Sequence, residues 1–163
     1  LDTVDRLGAA RRVVVVGKGR EQVEAALAGH DALIAVQEEQ KGTGHAVQQA
    51  ETALQGFDGA VIVLYGDTPF IAPETLDAMR ERLEAPDQPG VVVLASCPTD
   101  PGTYGRVILG EKDRISRMVE YRDANPAERA VRLCNSGMMA VRAGDLFRWL
   151  GKVGNANAAG EYY

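Results

Sequence analysis

The stretch Ala60-Val-Ile-Val-Leu-Tyr-Gly-Asp67, followed by Thr68-Pro69, decides the fold class. Its apolar residues Val61 to Leu64 run without alternation, which suits a strand buried on both faces of a sheet flanked by helices. The run ends at Tyr65-Gly66-Asp67, where glycine permits a sharp turn and a carboxylate follows. The carboxyl ends of strands are where open α/β sheets bind ligands. Asp67 there could hold a divalent metal, because hard cations prefer carboxylate oxygens. It could equally be a turn or helix-cap aspartate.

Working outward, the same texture repeats. Arg12-Val-Val-Val-Val-Gly17 and Leu33-Ile-Ala-Val36 read as further strands, with Gly17-Lys-Gly-Arg-Glu-Gln22 leading into an amphipathic stretch, Val23 to Ala28. Gly17-x-Gly19 invites a dinucleotide reading, but Gln22 occupies the third glycine position, so a plain strand-to-helix turn competes with it. Thr43 is a good N-cap, and Ala46, Val47, Ala50, Ala53, Leu54 and Phe57 follow at helical spacing. Gly42 and Gly44 would let backbone approach a ligand, and with Gln37 nearby the turn could bind a polar planar group or an anion, although spacing alone also fits an ordinary capped helix. His45 reads as structural and His30 as an exposed turn residue. Pro73 to Leu83 predicts a helix with Leu76, Met79 and Leu83 on one face. Val91 to Ala95 predicts another buried strand. Alternating strands and helices imply right-handed crossovers and a parallel sheet.

The second half changes character. Pro98-Thr-Asp-Pro-Gly-Thr-Tyr-Gly-Arg106 is rich in turn formers, and Val107–Leu109 and Ile115–Val119 flank Gly110-Glu-Lys-Asp113, predicting a β excursion. Glu120, Arg122 and Asp123 follow as a charged rim. Asn135 and Ser136 sit inside the apolar run Leu133 to Val141, so the Asn135 amide either braces a loop or faces a ligand. Leu146, Trp149 and Leu150 close a short helix.

Composition sets outer bounds. With 163 residues, 45% of them hydrophobic, the chain can build one domain burying about two-thirds of its unfolded surface. A net charge of −5 with scattered basic residues argues against a nucleic-acid or membrane surface. Cys97 and Cys134 lie in apolar stretches and read as buried free thiols in a reducing cytoplasm. No apolar run is long enough to span a bilayer, and no signal peptide is visible. The chain opens without Met on Leu1-Asp-Thr-Val-Asp-Arg-Leu-Gly8, the tail of a helix, and trails off at Asn155 to Tyr163. It is expected to be part of a longer protein.

Six motifs now stand in one order: Gln37-x-x-Gln-x-Gly-Thr-Gly-His-Ala46, Leu64-Tyr-Gly-Asp67, Tyr104-Gly-Arg106, Met118-Val-Glu120, Asn135-Ser-Gly137 and Gly160-Glu-Tyr-Tyr163. Together they resemble the uridylyltransferase domain of the bifunctional bacterial enzymes that make UDP-N-acetylglucosamine. The resemblance implies a Rossmann-like α/β fold, a mainly parallel sheet sandwiched by helices, with a β excursion forming the sugar pocket. It implies that Gln37 reads the uracil edge while Gly42 and Thr43 close on base and ribose. Tyr65, Gly66 and Asp67 would line the nucleotide site, with Asp67 as catalytic Mg²⁺ ligand. Gly105, Glu120 and Asn135 would hold the N-acetylglucosamine moiety. The implied substrates are UTP and N-acetylglucosamine 1-phosphate, and the implied assembly is a cytoplasmic homotrimer formed through a C-terminal domain. The family's first strand, its Gly-rich phosphate loop with Arg and Lys, and a downstream Mg²⁺-binding Asn are not in this sequence. Residues 1–163 alone are therefore expected to be catalytically silent. The sugar loop reads Pro-Gly-Thr-Tyr-Gly where the family more usually has Pro-Thr-Gly-Tyr-Gly.

Overall fold

The computed structural model describes residues 2–155 and 160–162. In chain order the elements are α1 (Asp2–Arg6), β1 (Val13–Val16), α2 (Arg20–Ala26), β2 (Leu33–Val36), α3 (Thr43–Gln48), β3 (Ala60–Val63), α4 (Pro73–Leu83), β4 (Val91–Ser96), β5 (Arg106–Leu109), β6 (Ile115–Val119), α5 (Pro126–Ala130), β7 (Cys134–Arg142) and α6 (Ala143–Leu150). A single 3₁₀ turn, Glu111–Asp113, joins β5 to β6.

β1 and β2 pair in parallel, Val13 opposite Leu33 through Val16 opposite Val36. The other five strands form a sheet around the nine-residue β7, which is antiparallel to β3, β4 and β5. β3 and β4 consequently run the same way, as a crossover through α4 requires, but β7 lies between them. The sheet is mixed where uninterrupted alternation predicts parallel pairing. A strand buried on both faces carries the same apolar signature whichever way it runs, so polarity is not written in its side chains.

Packing explains the order of the elements. α4 begins with Pro73, whose fixed φ suits a first turn, and turns Leu76, Met79 and Leu83 onto Ala140 of β7. Ala60, Ile62, Val92 and Leu94 from the flanking strands complete this core. Each large side chain buried there stabilises the fold by about 1.5–3 kcal/mol. Arg142, where β7 passes into α6, donates to the carbonyls of Leu83 and Pro89 at 2.9 and 3.0 Å. It thereby satisfies an orphan acceptor at the C-terminus of α4 and places a cation at the negative end of the helix dipole.

Three sequence expectations need correction. Gly42, at φ 106°, is the N-cap of α3, and Thr43 is the first helical residue without a capping bond. The helix also ends at Gln48. Beyond it, bonds such as Gln49 N to Ala46 O and Ala50 N to Val47 O tighten the chain into turns, yet Ala50 and Leu54 remain buried. Finally, Cys134 is buried but Cys97 is exposed, because it follows the last residue of β4.

Candidate functional site

Two clusters gather most of the predicted site residues. The first is built on the excursion. β5 and β6 pair as a hairpin, Arg106 opposite Val119, so Gly105 entering one strand and Glu120 leaving the other come side by side. A Cβ built on Gly105 would lie 3.0 Å from Glu120 Oε1. On the other flank, Asn135 N donates to Gly105 O at 2.9 Å, since Cys134 of β7 pairs with Arg106. The half-buried Asn135 amide oxygen accepts from Gly137 N at 2.9 Å. The Asn135 amide oxygen thus braces the backbone of β7 itself, at the residue whose N–H holds Gly105.

Gly137 extends this cluster toward the turn after β3. It holds φ 82°, and a Cβ there would meet the Tyr65 ring at 2.8 Å. The residue must lack a side chain, both for its left-handed backbone and for the aromatic ring lying against it. Ser136 donates to Leu94 O at 2.6 Å and accepts from Met138 N at 3.2 Å, which satisfies its hydroxyl beside the irregular register of β4.

Arg106 holds the loop that carries Gly105. It is 2% exposed, and its guanidinium donates to four carbonyls: Gly102 at 3.0 Å, Arg129 at 3.3 Å, Pro101 at 3.4 Å, and Tyr104. Its charge also lies over the Tyr121 ring at 5.3 Å. Sequence reading gave Arg106 no role. The available signal was a cation heading an apolar strand straight after a turn-rich loop, a place where five donors can gather loop carbonyls.

The second cluster lies at the ends of β1 and β2. Gln37 follows β2 directly, and its backbone N donates to Val16 O at 2.8 Å. Its side-chain Nε2 lies 3.1 Å from Gly42 O and 2.9 Å from His45 Nδ1. Gln37 also lines a cleft of about 430 Å³ with Gly17, Lys18, Gly19 and Gln40. The approach allowed by Gly42 is made by the chain itself: a Cβ there would sit 2.5 Å from Tyr162 O. Gly44 N, at 2.9 Å, donates to the same oxygen. So Glu161-Tyr162 is seated on this turn, while Tyr163 of the closing motif lies outside the described residues. Lys41 and Glu39 form an ion pair beside it; the hydrogen bond between them holds Glu39 below and Lys41 above their ordinary pKa values.

Asp67 and Gly66 are exposed on the turn after β3, where Thr68 N and Oγ1 both donate to Tyr65 O at 3.3 Å. Thr43 is exposed as well. Among the described residues no three His, Cys, Asp or Glu gather as a metal cage. A single accessible carboxylate still suits Mg²⁺, which is commonly bound through one or two carboxylates with water and substrate phosphates. No helix among the described residues is long and apolar enough to cross a membrane.

The MobA-like NTP transferase domain matches residues 1–138. The bifunctional protein GlmU of Sphingopyxis alaskensis is 60% identical over 161 residues, 99% of this chain and 35% of that protein. GlmU of Zymomonas mobilis is 50% identical over 165 residues, covering 100% of this chain and 37% of its own length. The chain thus spans little more than a third of these relatives. Among solved structures, a UDP-glucose pyrophosphorylase complexed with UDP-glucose superposes with a TM-score of 0.73 at 19% identity, covering 99% of this chain and 68% of its own. A 4-diphosphocytidyl-2C-methyl-D-erythritol synthase from Anaerococcus prevotii gives 0.62 at 17%, covering 93% and 63%. At such identities these two establish the Rossmann-like α/β fold alone. The match over residues 1–138 establishes the family: this chain belongs to the MobA-like NTP transferases, with the sequence pattern of the N-terminal nucleotidyltransferase part of GlmU.

Proposed function

We propose that this chain is the nucleotidyltransferase part of an enzyme that joins UTP and N-acetylglucosamine 1-phosphate into UDP-N-acetylglucosamine and pyrophosphate. The observation that supports this most is the meeting of Gly105, Glu120 and Asn135 at one end of the excursion. A carboxylate, a side-chain amide and backbone groups there can bind a polyhydroxylated sugar without adding positive charge. Tyr65 against Gly137 links that pocket to the turn bearing Asp67.

In this reading Gln37 and the Gly42-Thr43 turn hold the base and ribose, and the sugar pocket sets the second substrate in line. The sugar phosphate oxygen forms a bond to the α-phosphorus as the bond to the pyrophosphate oxygen breaks. Positioning supplies the rate, and no protein nucleophile is needed. Asp67 would hold Mg²⁺ together with phosphate and water oxygens, and the bound ion would neutralise charge on the reacting phosphates. Cytoplasmic location, a homotrimer formed through a domain outside this sequence, and a second, acetyltransferase activity there belong to the same reading. So does catalytic silence of residues 1–163 alone.

The test is pyrophosphate release by the intact protein carrying this sequence, with a panel of nucleotides and sugar phosphates. Turnover specific to UTP with N-acetylglucosamine 1-phosphate is expected. Preference for another sugar 1-phosphate would make it a different nucleotidylyltransferase, and binding without turnover would make it a nucleotide-sugar binding module.

A further inference from the structure

We propose that His45 is a positioning residue for base selection, acting by fixing the side-chain amide of Gln37 with only its carbonyl oxygen left for a base. The inference rests on the reading that Gln37 faces the nucleobase. A free glutamine amide is ambidextrous, because a half-turn exchanges its acceptor for its donors. Here the partners decide which way it sits. Gly42 O can only accept, so the amide atom 3.1 Å away must be the nitrogen. The second proton of that nitrogen is aimed at His45 Nδ1, 2.9 Å away. Both donors are then committed, and Oε1 remains.

This requires His45 to be neutral and to carry its proton on Nε2. The opposite tautomer would set two donors against each other at 2.9 Å, whereas Nε2 meets the Gln49 amide nitrogen at the longer distance of 3.3 Å. The shorter contact decides: Gln49 Nε2 is held as a donor by His45 O at 3.0 Å, and its 3.3 Å approach to the ring is the longer and weaker of the two amide contacts with the imidazole. His45 is half-buried in the first turns of α3, with the Tyr162 ring 6.4 Å from its own. The imidazole is thus held between two amides and a ring rather than left in solvent.

The consequence is discrimination by mismatch. Uracil presents N3–H, a donor that the fixed Oε1 accepts. Cytosine presents a bare N3, which meets the same oxygen lone pair to lone pair. A Gln37 free to turn could offer its NH₂ to that nitrogen and admit cytosine. His45 removes that option, so specificity is gained by blocking the wrong partner as much as by greeting the right one.

The experiment measures kcat/KM for UTP and CTP with the intact protein and its His45→Phe and His45→Asn variants. Phe keeps a flat ring but accepts nothing, and the UTP:CTP ratio should fall roughly tenfold, the worth of about one hydrogen bond. Asn places an acceptor oxygen where Nδ1 stood and should hold the ratio within about twofold of the original. A UTP preference unchanged in His45→Phe overturns the proposal. Equal use of UTP and CTP by the unsubstituted protein overturns the functional reading first, and this proposal with it. A second readout needs no turnover and no variant that folds. Nitrogen-15 spectra of the unsubstituted protein should show His45 protonated on Nε2 alone, and a proton on Nδ1 at neutral pH would overturn the assignment.

Discussion

Glu120 Oε1 occupies the space that a side chain on Gly105 would need, 3.0 Å from the Cβ position. The contact exists because β5 and β6 are hairpin partners whose outer ends meet at Arg106 and Val119. Gly105→Ala should therefore displace a flexible carboxylate rather than backbone, and the fold should survive. The expected result is weaker use of N-acetylglucosamine 1-phosphate, by roughly tenfold, the worth of one lost hydrogen bond, with the KM for UTP nearly unchanged. Steady-state kinetics varying each substrate in turn would check it; a matching loss for UTP would show that the cluster does not serve the sugar alone.

Arg106 carries a second prediction. A lysine cannot reach the four carbonyls that the guanidinium gathers, and it would leave several of them buried without donors. Arg106→Lys should lower stability by about 2–3 kcal/mol. For a chain of this size that is a fall in Tm of roughly 4–12 °C, readable by calorimetry. The sugar-phosphate KM should rise too, because the same side chain fixes the loop bearing Gly105. An unchanged Tm would mean that the loop holds its shape without the cation.

Asp67 separates chemistry from folding. It is exposed, so Asp67→Asn should leave thermal unfolding unchanged. Turnover should drop by about 10²-fold or more, the scale of a lost electrostatic contact at a reacting centre, with a higher Mg²⁺ requirement. Near-normal turnover across a Mg²⁺ titration would remove Asp67 from the site.

The ion pair between Arg82 and Asp87, bonded at 2.7 and 2.8 Å, gives a pH prediction. The Arg82 hydrogen bonds, aided by the charges of Arg82 and Arg114, hold the Asp87 carboxyl below its ordinary range. A carboxyl depressed on folding adds stability above its unfolded pKa and loses it as pH falls through the lower folded value. Asp87→Asn should therefore be less stable than the parent at neutral pH, and the two curves should converge in acid. The group is open to solvent, so the gap should be small and shrink with added salt. A gap that persists below pH 2 would assign the effect to packing.

How much of this was legible follows from what each pattern encodes. Helix α4 could be read residue for residue, because a proline start and three apolar residues at helical spacing admit no other element. The hairpin was legible from two short runs around a turn. The insertion of β7 between β3 and β4 was not, since apolar runs record burial and not direction. At the site, Gly105, Glu120 and Asn135 were named from motifs that lie far apart in the chain, and only strand pairing brings them together. Arg106 stayed hidden because its partners are carbonyls, which every residue has. The Gly42 turn is ambiguous for the opposite reason. A glycine signals that something comes close, but not whether it is a ligand or Tyr162.

Gly137 tests the joint between the two halves of the proposed site. Its backbone sits at φ 82°, where any residue with a Cβ is strained, and that Cβ would lie 2.8 Å from the Tyr65 ring. Gly137→Ala thus carries two penalties, a left-handed conformation worth about 1 kcal/mol and a contact that must be relieved. Relief can come only from movement of the ring or of the strand, and β7 is held by pairing with three other strands. Tyr65 is the freer partner, because the turn after it is exposed. The expected outcome is a modest loss of stability, about 1–3 kcal/mol, with a larger effect on turnover than on the affinity for either substrate. The displaced turn bears Asp67, and a shift of about 1 Å at a positioned group can cost 10²-fold in rate. Tyr65→Phe and Tyr65→Ala in the Gly137→Ala background sharpen the test. Tyr65→Ala removes the ring and should recover the stability lost to the clash, whereas Tyr65→Phe keeps the clashing ring carbons and should not; turnover stays low in both. If turnover of Gly137→Ala matched the parent while its Tm fell, Tyr65 and Gly137 would be a packing contact only, and the sugar pocket and the Asp67 turn would be set independently.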